Sequence, residues 1–204
     1  YKLNVDTLER QAGKTLELVR RYDSLTANES MAFGHGWALA LRDARIETNV
    51  PLTGAESSGV YKPLQAGSRL YVTAPTGERL GFTFAPEAVA GNGFGYFVPK
   101  WVADSGTSWR LESAEMNLQR GAGRFYALAD GTPYNPASLA AERAQYTLIA
   151  ADGTRYSLSA QRGVTSITFA DGVVLQVSDS GITGPGNDSI VFRFDAGGRL
   201  ARIV

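Results

Sequence analysis

Apolar and polar residues alternate with a period of two along most of the chain, and that period predicts strands. Thr15 to Tyr22 reads Thr-Leu-Glu-Leu-Val-Arg-Arg-Tyr, and Trp37 to Arg42 reads Trp-Ala-Leu-Ala-Leu-Arg. Successive strand side chains point to opposite faces, so each run offers one face to a core and one to water. Ten further segments are short and rich in Val, Ile, Phe, Tyr and Thr: 69–74, 80–85, 95–102, 124–129, 145–150, 154–160, 164–170, 173–178, 189–195 and 199–204. These residue types pack well on a pleated surface. The turns between them are explicit, at Thr76-Gly77, Asp130-Gly131, Asp152-Gly153, Asp171-Gly172 and Gly197-Gly198. Asp-Gly tolerates the positive φ angles of a tight hairpin, so the pattern predicts an all-β, antiparallel hairpin meander forming a large curved sheet.

One segment departs from the period. Ala137 to Tyr146 follows Pro136 with alanines, Glu142 and Arg143, which predicts a short helix. Leu8 to Leu18 has an amphipathic spacing, but Gly13 sits in its middle, so Gln11 to Lys14 is expected as a turn between two strands. The loosest connections are expected at Gly91–Gly95 and Ile182–Asn187. No linker long enough to separate independent domains appears, so residues 1–204 are expected as one β-rich unit. The chain opens at Tyr1 and stops at Val204 inside an apolar run, Leu200 to Val204, which suggests a fragment of a longer polypeptide with a sheet that continues past Val204. An open edge there is expected to favour pairing with another copy.

The 204 residues are 44% hydrophobic and 20% charged, the balance of a folded chain rather than a disordered one. Twenty basic residues meet twenty acidic ones and neither sign runs in blocks, which argues against a dedicated nucleic-acid partner. No apolar stretch is long enough for a membrane-spanning helix. The absence of cysteine removes disulfides, thiolate metal sites and a cysteine nucleophile together. Sixteen of the basic residues are arginine, from bidentate ion pairs on a sheet surface or from genome base composition.

Candidate chemistry is sparse. His35 is the single histidine, and a glycine-flanked histidine in a turn is more often structural than catalytic. Asp179 and Asp188, near Gly186 and Asn187, could offer oxygens to calcium, yet no calcium-loop pattern surrounds them. Glu112 and Glu115 would share a face only on a helix, and Gly91-x-Gly93 and Gly121-x-Gly123 lack the spacing of a phosphate loop. No catalytic residue, metal ligand or cofactor site is assigned, and the chain is not expected to be an enzyme. Trp101 and Trp109, with Tyr96 and Phe97 close by, carry the one binding hint: aromatic rings on an open sheet stack on sugars or partner proteins, although core packing accounts for them as well. Asn28-Glu29-Ser30 and Asn187-Asp188-Ser189 are glycosylation sequons, meaningful only in a secretory-pathway host.

The Asp-Gly turns at 130, 152 and 171 stand 22 and 19 residues apart, with a related turn at Asp195 24 residues later. A unit this short cannot bury its own apolar face, so such hairpins are stable only when stacked into a continuous sheet. The last unit, Phe192-Arg193-Phe194-Asp195-Ala196-Gly197-Gly198-Arg199-Leu200, resembles the YD repeat, aromatic-x-aromatic-Asp-x-x-Gly-Arg-Leu, with phenylalanine at both aromatic places. Near the start, Arg20-Arg21-Tyr22-Asp23-Ser24 followed by Phe33-Gly34-His35-Gly36-Trp37 is similar to the Arg-x-Tyr-Asn-Ser and Gly-x-Gly-Trp pair that opens the β-shell of bacterial Rhs (YD-repeat) proteins, with Asp23 in place of asparagine. The likeness divides the chain into a shell-opening region at 1–50, an unassigned β region at 51–120 and YD-like hairpin units at 121–204.

The resemblance implies a β-sheet ribbon coiled into a hollow shell, secreted or at the bacterial cell surface, enclosing a C-terminal toxin effector. In related adhesion proteins the shell is a scaffold. The implied partners are the remainder of the same polypeptide, with an extracellular glycan- or protein-binding adhesion module as the alternative. No aspartate here precedes a proline, so the family's effector-releasing motif is absent from this segment. From the residues themselves, Gly34 and Gly36 permit a sharp corner, Trp37 is expected as its buried anchor, and Arg20 and Tyr22, two apart on one strand face, are expected to hydrogen-bond into it.

Overall fold

The computed structural model describes residues 2–9, 15–31, 33–42, 44, 46–90, 95–138, 145–160, 162–186 and 189–204. These residues form strands throughout, with two 3-10 turns at Ser24–Thr26 and Glu56–Ser58 and no α-helix. The all-β expectation holds. Most of the segment expected as a helix, residues 139–144, lies outside the described residues, and its last residue, Tyr146, opens a strand.

The first 50 residues contain β1 (Lys2–Glu9), β2 (Thr15–Tyr22), β3 (Ser30–Met31), β4 (Gly34–His35), β5 (Trp37–Leu39) and β6 (Ile46–Thr48). Then come β7 (Arg69–Thr73), β8 (Arg79–Phe84), β9 (Glu87–Val89), β10 (Tyr96–Val98), β11 (Trp101–Ala103), β12 (Arg110–Ser113), β13 (Leu118–Gly121) and β14 (Arg124–Ala127). The last third holds β15 (Tyr146–Ile149), β16 (Arg155–Ser159), β17 (Gly163–Thr168), β18 (Val174–Ser178), β19 (Gly181–Thr183), β20 (Ser189–Phe194) and β21 (Leu200–Ile203).

β1, β2 and β5 form one sheet, β11-β8-β7-β6 a second, β14-β13-β10-β9 a third, and β12-β15-β16-β17-β18-β19-β20-β21 an eight-stranded fourth; β3 and β4 pair with each other. Every pairing is antiparallel. The run expected as one strand, 95–102, breaks at Pro99 into β10 and β11, which join different sheets. Proline cannot donate to a ladder, so the strand ends there.

Four of the expected turns share one hairpin geometry. Ala74, Ala150, Phe169 and Asp195 each donate an N–H to the carbonyl four residues on (2.7–2.9 Å) and each accept one from the glycine three residues on (2.8–3.1 Å). Those glycines, Gly77, Gly153, Gly172 and Gly198, have φ between 74° and 87°, while the residues before them stay out of the left-handed region. This is a three-residue loop with a glycine bulge, and it asks for one positive φ rather than two. The aspartate instead uses its carboxylate: Asp152 Oδ1 accepts the Thr154 N–H at 2.8 Å, and Asp171 Oδ1 that of Val173 at 3.3 Å. The tight two-residue turn is Ala122-Gly123, both with positive φ, between Gly121 and Arg124.

The expected repeat does not carry through. The Asp130 turn follows β14 in the third sheet, whereas the Asp152 and Asp171 turns lie at one end of the eight-stranded sheet. Three more strands of alternating direction separate the Asp171 turn from the Asp195 turn, which therefore lies at the other end. Ile182 and Thr183, expected in a loose loop, belong to β19, and Ile182 is buried.

The eight-stranded sheet has two unlike faces. Leu111, Leu148, Tyr156, Ile167 and Leu175 form one cross-strand row directed at the core. The neighbouring row, Glu112, Thr147, Ser157, Ser166, Gln176, Thr183 and Ser189, is polar. The apolar face packs on Leu16, Leu18, Leu39 and Leu41 of the first sheet and its extension, and on Leu70, Val72, Leu80 and Phe82 of the second. A second cluster, Leu64, Phe84, Leu118, Phe125 and Tyr134, joins the second and third sheets. Full burial of side chains such as Phe82 and Phe84 contributes roughly 1.5–3 kcal/mol each. Trp101 and Met116 pack against both clusters, and the Tyr134 and Tyr146 hydroxyls meet between them at 3.5 Å.

Candidate functional site

β2 and β5 pair in a register that sets Tyr22 opposite Trp37 and Arg20 opposite Leu39. The Tyr22 and Trp37 rings lie 5.4 Å apart between centroids, and the Arg20 guanidinium stands over the Trp37 ring at 5.8 Å. At the corner the tilted Tyr22 ring and the Arg20 guanidinium both lie against Trp37. Trp37, expected as a buried anchor, is half-buried.

Gly36 is required by space as well as by conformation. Its φ is +70°, and a Cβ there would stand 2.8 Å from the Asp23 carbonyl oxygen and 2.9 Å from Tyr22 Cε2. Asp23 donates its N–H to the Gly36 carbonyl at 2.9 Å, and its carboxylate caps the turn at Leu25. Gly34 also has positive φ, +110°. Ser24 opens the 3-10 turn and is exposed. His35 is exposed on β4 opposite Ser30, with no acidic side chain at hydrogen-bond distance among the described residues.

In the terminal unit Asp195 Oδ1 accepts the N–H groups of Gly197 and Arg199, both at 2.9 Å, and Arg199 Nε lies 3.5 Å from Asp195 Oδ2. These donors, Arg199 foremost, hold the Asp195 carboxyl below the usual carboxylate range. Gly198 supplies the left-handed position at φ +74°. Phe192 is buried and Leu200 packs against the core, whereas Phe194 is 43% exposed.

The two regions meet. Phe33 stands edge to face with Phe192 at 6.3 Å. Beyond β5, Leu41 accepts the N–H of Val164 at 2.9 Å, and Arg42 pairs with Asp179. Gly163, φ +69°, lies so close that a Cβ would meet the Arg42 carbonyl oxygen at 2.5 Å. Phe33 and Phe192 thus bring the two motif regions into contact, beside the Leu41–Val164 and Arg42–Asp179 contacts.

The tryptophan pair does not form a platform. Trp109 is 9% exposed, with its ring 5.9 Å from that of Tyr156, and Trp101 packs against Phe84 at 5.2 Å. Both belong with the core, so the binding hint they gave is not borne by an open surface. Glu112 lies on β12 and pairs with Arg155, so it shares no helical face with Glu115. Asp179 is engaged by Arg42; Asp188 and Asn187 lie outside the described residues, as does Gly91-x-Gly93. Among the described residues no group of three or more His, Cys, Asp or Glu side chains could hold a metal ion. A half-open depression of about 610 Å³ is lined by Glu115, Met116, Asn117, Leu128, Asp130 and Thr132. The Asp130 carboxylate there is taken up by the Thr132 N–H and hydroxyl at 3.0 and 2.7 Å.

Sequence reasoning missed a recurring arginine contact. Arg79 on β8 crosses β7, over the Tyr71 ring, to Glu47 on β6 at 2.8 Å. Arg155 on β16 crosses β15 to Glu112 on β12 at 2.8 Å. Arg69 on β7 crosses β8, touching Thr83 at 2.6 Å, to Asp104 just after β11. The arginine excess was its only sequence signal.

No helix among the described residues is long and apolar enough to cross a membrane. No family model matches the chain, and neither the curated proteins nor the solved structures yield a match.

Proposed function

We propose that this chain is a structural segment of an Rhs/YD-repeat-like protein, in which a β-sheet scaffold encloses or presents an effector carried elsewhere in the polypeptide. The observation that carries the reading is the contact of Phe33 with Phe192, which joins the shell-opening motif to the YD-like unit in one packed body. Backbone ladders supply rigidity and the glycine-dependent contacts at Gly36 and Gly163 fix one sheet against another. The apolar face of the eight-stranded sheet is covered by the first two sheets, so this segment serves as the solid end from which a wall extends, rather than as lining of an interior. Its side chains do no chemistry; specificity belongs to the effector. Secretion or display at a bacterial surface goes with this reading.

The test is made on the full polypeptide that carries this segment, by native size exclusion followed by a denaturing gel. A separate effector fragment that travels with the β-rich part until denaturant is added supports the container reading. A single intact chain with nothing retained contradicts it.

A further inference from the structure

The half-open depression of about 610 Å³ lies between the segment that leads from β12 to β13 and the segment that follows β14, and all of its lining residues fall between 115 and 132. The two segments are tied in place. The Leu128 N–H donates to the Asn117 carbonyl at 2.8 Å, the Ala127 N–H to the Thr132 carbonyl at 2.8 Å, and the Gly131 N–H to the Ala127 carbonyl at 2.9 Å. The hollow is therefore preformed, and its size lies in the range of pockets that hold small ligands.

Its lining is apolar on one side of the chemistry and accepting on the other. Met116, Ala127, Leu128 and Ala129 supply the apolar part, and Met116 also packs against both hydrophobic clusters. Leu128 is nevertheless 47% exposed, a large apolar side chain left to water in a concave surface. Glu115 and Asn117 stand two apart, both exposed, and neither side chain makes a hydrogen bond or ion pair. The other segment adds Asp130, whose Oδ1 accepts from the Thr132 N–H and hydroxyl. No lysine, arginine or histidine lines the hollow.

A carboxylate and an amide carbonyl without donors, set beside apolar surface, call for a ligand with a cationic donor at one end and an apolar body at the other. We propose that the depression binds a small amphiphilic amine, its ammonium at Glu115 and Asn117 and its body against Met116 and Leu128. A ligand with a carboxylate head is repelled by Glu115 and Asp130. The lysine side chain of a partner protein would leave most of the volume unfilled.

The probe is dansylcadaverine, a naphthalene body joined by an aliphatic chain to a primary ammonium. It is titrated by fluorescence, at low salt, against the full polypeptide that carries this segment, with its uncharged N-acetyl derivative as the reference. The amine is expected to bind roughly tenfold tighter than the reference. Glu115→Gln should bring the two to the same level without moving the melting temperature, because the Glu115 side chain supports no contact in the fold. Leu128→Asn should weaken both probes alike. Equal binding of the two probes by the parent overturns the proposal, as does a preference that survives Glu115→Gln, or no binding at millimolar probe. So does a lysine-containing peptide that binds as tightly as the dye, which would make the hollow a seat for a partner's side chain.

Discussion

Phe33 and Phe192, at opposite ends of the sequence, meet edge to face at 6.3 Å. The contact ties the glycine-flanked corner to the penultimate strand of the eight-stranded sheet, so the two ends should unfold together. Phe192→Ala is expected to lose about 3–5 kcal/mol, as for a buried phenylalanine. Phe33→Ala should cost less, because Phe33 is only half-buried. A double-mutant cycle in urea should give a coupling of about 0.5–1.5 kcal/mol. Additive losses would mean that the rings touch without supporting each other.

Glycines at the joint should be far less replaceable than glycines in the turns. Gly36→Ala and Gly163→Ala each combine a left-handed backbone with a Cβ driven against a carbonyl oxygen. Each is expected to cost more than the ~1–2 kcal/mol of the conformation alone. Gly172 also has positive φ, but nothing lies within 4 Å of a Cβ there, so Gly172→Asn should cost under about 1 kcal/mol. Thermal unfolding of the three variants side by side measures the difference.

Alkaline pH should loosen the seam between the two hydrophobic clusters. Burial pushes the Tyr134 hydroxyl up to about 12 and the Tyr146 hydroxyl well above its ordinary value of 10. Below pH 10 both folded and unfolded chains keep these protons, and the stabilisation is fully present. As pH rises from 10 toward 12 the unfolded chain ionises first, so stability falls by roughly 3 kcal/mol for Tyr134 alone. Urea midpoints measured across that range should drop in the parent and drop less in Tyr134→Phe/Tyr146→Phe.

The terminal hairpin should respond to acid in the opposite sense. Backbone N–H groups of Arg199 and Gly197 lower the Asp195 pKa, so the hairpin's support is present above the ordinary carboxylate range and is lost as pH falls through the folded value. Protection factors at Gly197 and Arg199, the intrinsic exchange rate divided by the observed one at each pH, should fall on acidification. In Asp195→Ala they should be low at every pH.

Replacing the tryptophans separates core from surface. Trp109→Ala is expected to lose about 3–5 kcal/mol, and Trp101→Ala less, since that indole is only partly covered. A folded double variant with an unchanged denaturation midpoint would instead set both rings at an open surface.

Strands were legible because alternation reports a half-buried sheet wherever one face meets a core, as in 145–150 and 173–178. What the period does not encode is which sheet a strand joins. Gly95 to Val102 reads as continuous, yet Pro99 sends its halves to separate sheets. β6, β9, β12 and β13 were missed because each carries at most two apolar residues, whereas β5, β14 and β15, equally short, carry three. Asp-Gly turns were located correctly, but the pair suits two hairpin geometries and strand register chooses between them. At the corner the residues were legible and their contacts were not. Arg20 and Tyr22 share a face in sequence, but only the fold decides that they meet the Trp37 ring. The strand-crossing arginines lay beyond reach for the same reason: Arg155 and Glu112 are 43 residues apart and become neighbours only through strand order.

The most direct measurement is electron cryomicroscopy of the full polypeptide that carries this segment. The expected map is a continuous β-sheet wall around an enclosed volume that extends from β21, with this segment as the solid end of the wall and the Phe33–Phe192 contact inside that end. A solid globular body without a wall, or an eight-stranded sheet ending in solvent beyond β21, would contradict the structural reading.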